Sequence, residues 1–467
     1  MVEQFDLEKE VSEIKDPKAL RVIAYLLEQI KVLQEKVARL ERNSSNSSKP
    51  PSSDITKPAS EQRQPGERVI GGQPRHPGKR RDMLPPEKVD HVVPLPIERC
   101  PDCGDALQDP QEPQDLISQT VELQEKPIVV TEYHRPGRWC NKCGKMHYAA
   151  LPEGVIEGQL CGPRLQALLA YMKGHLGASY TELQQFCADV LGLEVSRGMI
   201  CRTIARVNQA LETPYQELGE HIRTEKTLHI DESGWYDLGT QYWVWLFCTQ
   251  LVAFFSIQRS RGCKVLKEIL GETFSGAMVT DFYSAYVCYA SLKLQFCLAH
   301  LIRDIKFLTT LPDPATQEFG RKLLRYFELL FRHWHARDEI PREVFLRRCE
   351  KLQRRLFMFL TKAMPAKGPA LTMKKRLVKH WASLFRFVRQ PDLYQPTNNT
   401  AEQTMRVVVR LRRQTQGTRS EWGRCWCSRI LSVIATCRKQ NRSAWVFIQQ
   451  AVYVKNFGGN FPSLLPT

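Results

Sequence analysis

Apolar residues between positions 18 and 42 follow a heptad. Ile23, Ile30 and Val37 occupy one position, and Leu26, Leu33 and Leu40 the other. β-Branched residues at a with leucine at d favour a parallel two-stranded coiled coil. Residues 1–43 are therefore expected to form a self-associating helix. A second helical period begins near 163, where Leu165, Leu168, Leu169 and Met172 recur at helix spacing. Residues 181–191 predict another helix, Gly192 a break, and Ser196 an N-cap for a helix over 197–211. A helix, a glycine-containing turn and a capped helix make up the helix-turn-helix grammar. Arg197, Arg202 and Arg206 project from the last of these helices as candidate DNA contacts.

From 227 the period changes to two. Leu228 and Ile230 face one way, His229 and Asp231 the other. Strands are predicted to end at Asp231, over 241–248 and over 251–257. A helix carrying Val265, Leu266, Ile269 and Leu270 follows. Then come a strand over 277–281, a helix over 284–292, a strand over 294–297 and a helix over 300–311. Three antiparallel strands, then helix, strand, helix, strand, is the order of a ribonuclease H-like sheet. Residues 312–396 are helical, basic and punctuated by Pro312, Pro341, Pro365 and Pro391, which reads as an insertion. The α/β layer resumes with a helix near Glu402.

The fold class expected is thus multidomain α+β, in seven segments. They are a coiled-coil helix (1–43), a disordered linker (44–92), a zinc-binding domain (93–152) and a helical, helix-turn-helix-like domain (153–222). The first part of the core (223–311), the helical insertion (312–396), and the last part of the core with a C-terminal tail (397–467) complete them. The linker reading rests on composition. A Ser/Asn tract gives way to the Pro/Gly-rich basic run at 71–81, and neither can bury a core.

Charge narrows the partners. Lys+Arg 67 against Asp+Glu 50 gives a net +17, which favours a polyanion, and nucleic acid is the usual one. The first residues carry no basic and apolar leader, so no signal peptide is expected. The 15 cysteines are an odd number, which fits reduced thiols and a metal site better than a disulfide framework. Cys100 and Cys103, and Cys140 and Cys143, form two Cys-x-x-Cys-Gly knuckles. Four soft ligands in that spacing suit one structural zinc ion. A strand over 128–134 is expected between the knuckles.

Three acids stand out against this background. Asp231 and Asp281 each close an apolar β-type run, and Glu402 sits in the first turn of a helix that Thr400 is expected to cap, with Gln403 completing a capping box. Such carboxylates converge on a pair of Mg²⁺ or Mn²⁺ ions that activate water or a hydroxyl for attack on phosphorus. Arg406, Arg410 and Arg413 follow Glu402 on one helix face, four, eight and eleven residues on, placed to hold phosphates. Strand alternation turns Glu232, the neighbouring acid, away from Asp231. Cys297 and His300 cannot close a zinc site by themselves. They read equally as a packed pair or as groups beside the acids that position one or touch DNA.

These residues together resemble the insertion sequence 66 family of bacterial transposases. The resemblance is carried by the paired knuckles, the Ser-Ser-Asn-Ser-Ser-Lys-Pro-Pro-Ser tract, His-Ile-Asp-Glu-Ser, Thr-Asp-Phe-Tyr-Ser-Ala-Tyr, Cys-Leu-Ala-His and Asn-Asn-Thr-Ala-Glu-Gln. It runs along nearly the whole chain in the same order. Asp-Glu-Ser stands where the family commonly has Asp-Glu-Thr, and the segments around 179–182 and after Glu402 match less well. The resemblance implies a DDE transposase with Asp231, Asp281 and Glu402 as its triad. It also implies a cytoplasmic, nucleoid-associated bacterial enzyme that cuts its element's ends and joins the 3′-hydroxyls to target DNA. Homo-oligomers and small accessory proteins of the same element are the expected partners. Two rivals remain: a DNA-binding regulator or domesticated transposase without catalysis, and a resolvase-type nuclease on the same fold.

Overall fold

The computed structural model describes residues 14–41, 83–95, 101–102, 104–105, 117–125, 127–290, 293–362 and 368–466. The chain divides into two units, residues 59–132 and the remainder. In the described part of the first, the Gln119 side chain pairs with both backbone groups of Leu84 (2.7 and 3.0 Å). The expected strand over 128–134 is not formed. The chain pairs instead around the second knuckle, where β1 (Arg138–Cys140) and β2 (Lys145–His147) form an antiparallel hairpin. Residues 128–134 are largely exposed and have no partner strand among the described residues.

In the larger unit, α1 (Pro17–Leu40) begins at an Asp16 cap whose carboxylate accepts from the Lys18 amide (2.9 Å). None of its residues is buried, and Leu26, Ile30, Leu33, Val37 and Leu40 are all exposed. A helical group follows: α2 (Pro163–Tyr171), a π turn at Met172–Leu176, α3 (Tyr180–Leu191), α4 (Arg197–Ala210) and α5 (Glu212–His221). Ser179 and Glu182 form a capping box that starts α3. Gly192, in left-handed conformation at φ 61°, ends it. Ser196 then caps α4 through the Met199 amide (3.2 Å). These are the breaks the sequence predicts.

A five-stranded sheet forms the centre. Its strands are β3 (Thr227–Asp237), β4 (Thr240–Cys248), β5 (Ala253–Gln258), β6 (Ala277–Thr280) and β7 (Leu294–Phe296), ordered β5-β4-β3-β6-β7. β3, β4 and β5 are antiparallel neighbours, while β6 and β7 run parallel to β3. Short helices α6 (Cys263–Leu270) and α7 (Ser284–Ala290) link the later strands, and α8 (Leu298–Leu308) leaves β7. β3 departs from expectation: it runs six residues past Asp231 to Asp237, because β4 pairs with it along that whole length. Asp231 is therefore mid-strand rather than terminal.

The helices α9 (Pro314–His335), α10 (Arg342–Lys362), α11 (Gly368–Lys379), α12 (Trp381–Leu384) and α13 (Arg386–Arg389) separate α8 from the last three, α14 (Asn399–Thr415), α15 (Glu421–Lys439) and α16 (Ala444–Phe457). The closing segment, expected to end in a tail, is structural. α14 and α15 pack on one sheet face, where Trp235, Leu246 and Phe255 meet Ala401, Met405, Val408 and Leu431. α16 returns to α2 and α4. Between α14 and α15, Gly417 (φ 103°) lies against Tyr236, and a Cβ there would fall 2.0 Å from its carbonyl oxygen.

α15 also solves an edge problem. β5 is the outer strand, and its amides at Ala253, Phe255 and Ile257 lack a strand partner. They donate to the hydroxyls of Thr436 (3.0 Å), Ser432 (2.8 Å) and Ser428 (3.2 Å). The spacings match: four helical residues rise about 6 Å, and two strand residues span about 6.7 Å. Unpaired buried amides are costly and exposed edges invite association, so one helix face satisfies both constraints.

Candidate active site

The sheet register sets the geometry. β3 and β6 pair in parallel up to His229 and Val279. Carried on by two residues, that register puts Asp231 beside Asp281, and in-register residues of neighbouring parallel strands point to the same face. The face is that of α14, whose first turn carries Glu402. Asp231, Asp281 and Glu402 each remain half-buried.

Asp231 feels its neighbours. Burial first, then the charges of Glu232, Asp281 and Glu402, hold its carboxyl well above the usual range. Burial, with Glu232 next, pushes Asp281 up to about 7. Neither has a cationic partner within ion-pair distance among the described residues; Asp231 accepts from the Glu232 amide (3.0 Å) and Asp281 from the Tyr283 amide (2.9 Å). Carboxylates held together without a counter-ion are an oxygen donor set suited to a hard divalent cation.

Glu402 is placed by contacts distant in sequence. The N-cap of α14 is Asn398, not Thr400, and no side chain caps the helix, so the expected capping box does not form. Thr400 instead accepts from Gln250 (3.2 Å). Asn398 is buried and works as a bracket. Its side-chain amide donates to the Ile230 carbonyl (2.8 Å), its side-chain oxygen lies 3.1 Å from His229 Nδ1, and its backbone amide donates to Cys297 Sγ (3.2 Å). Burial pushes His229 down to about 4, so the ring is neutral and donates from Nδ1. One asparagine thus ties β3, the β7–α8 junction and the Glu402 helix together.

Cys297 and His300, left open by the sequence, lie at Glu402. Its Oε1 is 3.4 Å from His300 Nδ1 and 3.8 Å from Cys297 Sγ, while Arg303 approaches Oε2 at 3.7 Å. Burial, with Glu402 next, pushes the Cys297 thiol up to about 12, and burial pushes His300 down.

Glu232 faces the other side of the sheet, as alternation requires. Its side chain is 1% exposed and receives Arg261 (2.7 and 2.9 Å) and the Tyr286 hydroxyl. Arg261 stacks on Trp243 and on Tyr283, two residues beyond Asp281. From α11, Arg376 lies over Phe282 and pairs with Asp304 (2.8 Å). Only three-dimensional proximity reveals Arg261 and Arg376, and the bracketing contacts of Asn398, which the sequence offered only as part of the Asn-Asn-Thr-Ala-Glu-Gln stretch.

The predicted DNA-contact arginines fall in two groups. Arg197 and Arg202 on α4 are exposed and Arg206 is half-buried. On α14, Arg406, Arg410 and Arg413 are exposed, and Arg410 donates to the His175 carbonyl.

At the second knuckle, Cys140, Cys143 and His147 bring their ligand atoms within 4.8 Å of one another. Cys143 Sγ is 3.1 Å from His147 Nε2, a neighbour the four-cysteine reading omitted. Gly144 has φ 59°, the left-handed position expected of the knuckle glycine. Cys100 and Cys103 lie outside the described residues.

Comparison with known proteins adds two matches. The model of the transposase IS66 family matches residues 158–425, more than half of the chain. Residues 4–82 match a family of unknown function, DUF6444. No curated protein matches the chain.

Proposed function

The chain belongs to the IS66 family of transposases, and from that premise we propose a metal-dependent enzyme of DDE type that cuts the ends of its element and transfers the 3′-hydroxyls to target DNA. The supporting observation is the set of three carboxylates around Asp231. Two carboxylates come from adjacent parallel strands and the third from a helix start, and their charges reinforce one another. The sheet order β5-β4-β3-β6-β7 supports reading this part as a ribonuclease H-like core, with residues 312–396 as its helical insertion. In this reading 153–222 is the helical DNA-binding domain, 1–43 the self-association helix and 93–152 the zinc-binding domain.

Asp231, Asp281 and Glu402 would hold Mg²⁺ or Mn²⁺, which supplies an activated water or hydroxyl and screens phosphate charge. The chain's residues do the rest. Asn398 fixes the start of α14 and so the reach of Glu402 into the site. Arg303 and His300 restrain the Glu402 carboxylate from one side. Arg406 and Arg413, one and three turns further along α14, offer bidentate donors to the phosphates of the entering strand. Arg197, Arg202 and Arg206 contact DNA from α4. Cys140 and Cys143, with Cys100 and Cys103, would hold Zn²⁺ as a structural ion, and His147 is a further donor beside them.

The test is cleavage of double-stranded DNA carrying the inverted repeats that flank the gene. Mn²⁺-dependent nicking at the repeat ends, lost in Asp231→Asn and Glu402→Gln that still bind DNA, is the expected result. DNA binding without cleavage by the wild type at any divalent ion would favour the regulator reading. Cutting without joining would favour the resolvase-type nuclease.

A further inference from the structure

We propose that Cys297, His300 and Glu402 form a binding site for a soft divalent ion of the Zn²⁺ class, overlapping the hard-cation carboxylates and competing with them for Glu402. The three offer one sulfur, one nitrogen and one oxygen donor within 4.8 Å of one another. A tetrahedral zinc ion, with bonds near 2.3 Å to sulfur and 2.0–2.1 Å to nitrogen or oxygen, sets neighbouring ligand atoms about 3.3–3.6 Å apart. The observed separations from Glu402 Oε1 are 3.4 Å to His300 Nδ1 and 3.8 Å to Cys297 Sγ. These two separations need at most a few tenths of an ångström of closure, and the sulfur and the ring nitrogen lie within 4.8 Å of each other.

Two further observations point to a ligand. His300 Nδ1 is buried and makes no hydrogen bond despite its approach to Glu402. An unpartnered buried ring nitrogen carries a desolvation cost that a ligand removes. Cys297 is equally prepared. Its sulfur accepts the Asn398 amide (3.2 Å) and sits at the N-cap of α8. Burial and the Glu402 charge keep the thiol protonated in the metal-free chain, so the ion must displace that proton; amide donation and the helix N-terminus then help to hold the bound thiolate. On binding, the thiol loses its proton to solvent and sulfur forms the metal bond; no redox change occurs. Arg303 approaches the other Glu402 oxygen, Oε2, and leaves Oε1 to the soft donors.

The donor set discriminates between ions. Mg²⁺ prefers oxygen ligands and gains little from sulfur, whereas Zn²⁺ takes all three. Zinc bound here would withdraw Glu402 from the pair of aspartates. That inhibitory consequence rests on the proposed role of Glu402, but binding itself does not.

The experiment uses the full chain, already loaded with zinc at its knuckle cysteines, titrated with Co²⁺ as a spectroscopic probe and with Zn²⁺ for stoichiometry. The wild type should take up one further equivalent with a sulfur-to-cobalt charge-transfer band. Cys297→Ser and His300→Ala should each lose that equivalent, while Asp281→Asn keeps it. The His300 variant leaves the strand end intact should Cys297→Ser fail to fold. Equal uptake and identical spectra in wild type and a folded Cys297→Ser or His300→Ala would overturn the site. Zinc should also suppress Mn²⁺-dependent cleavage more than tenfold. Uptake of the extra zinc with cleavage unaffected would uphold the site and overturn the place of Glu402 in the carboxylate trio.

Discussion

At the scale of single residues, the acids around Asp231 carry an electrostatic cost, and pH exposes it. Asp281 has its carboxyl raised from an ordinary 3.8 to about 7 by burial, with Glu232 adding. Between those values the folded chain keeps a proton that the unfolded chain has released. Its contribution to stability is full below about pH 4 and is lost as pH rises through 7. In metal-free buffer the melting temperature of Asp281→Asn should therefore fall less than that of the wild type between pH 5 and pH 8. Adding Mn²⁺ should raise the wild type's melting temperature and leave Asp281→Asn nearly unmoved. Parallel pH slopes in the two proteins would show that this carboxylate is not strained. A second residue, Asn398, should matter for a different reason. Asn398→Ala would leave the Ile230 carbonyl and His229 Nδ1 without their partners, at a cost of about 2–4 kcal/mol, measurable by urea denaturation. The acids stand out in the sequence by their places, Asp231 in a period-two run and Asp281 at the close of an apolar run. The bracket made by Asn398 does not, because its partners at 229, 230 and 297 lie more than a hundred residues away in the chain.

At the scale of elements, the departures from expectation share one cause: the element is set by a partner the local pattern does not contain. β3 looked finished at Asp231 because Glu232, Ser233 and Gly234 break the apolar alternation. It continues because β4 pairs with it to Asp237 and because Arg261 and Tyr286 satisfy the buried Glu232. Ser428, Ser432 and Thr436, on which the sequence offered no reading, serve the amides of β5. Ser432→Ala should cost about 1–3 kcal/mol, the price of one unpaired buried amide. The triple Ser428→Ala, Ser432→Ala, Thr436→Val should cost more and promote association through the freed edge, visible by light scattering. A triple variant as stable as the wild type would mean water replaces the hydroxyls. α1 was legible as a helix from the heptad over 18–42, although its Pro17 start was not, and its apolar face remains exposed. A chain beginning at Asn43 should run as a smaller oligomer than the full chain in sedimentation. Equal stoichiometry would remove self-association from this helix.

At the scale of the whole molecule, the net +17 and the acidic site pull in opposite directions. A polyanion must approach a cluster of carboxylates that repels it, so the positive charge has to lie where it guides phosphate without neutralising the acids. The arginines divide accordingly: those on α4 belong to the helical group, and those on α14 share the helix of Glu402. No helix among the described residues is long and apolar enough to cross a membrane. The two groups should separate in experiment. Each phosphate contact contributes close to −0.9 to the slope of log affinity against log salt. Replacing Arg197 and Arg202 by alanine should therefore flatten the slope by about 2 and weaken binding of element-end DNA, with little effect on the Mn²⁺-induced rise in melting temperature. Replacing Arg406 and Arg413 should lower cleavage by more than it lowers affinity if, as proposed, they hold phosphates of the strand at Glu402. Arg410 belongs to neither group, since its donation to the His175 carbonyl ties it to the π turn; Arg410→Ala should show a stability loss before a binding loss. If the α4 pair leaves the salt slope unchanged while the α14 pair abolishes binding, the helical group is a structural support and DNA is held from the core.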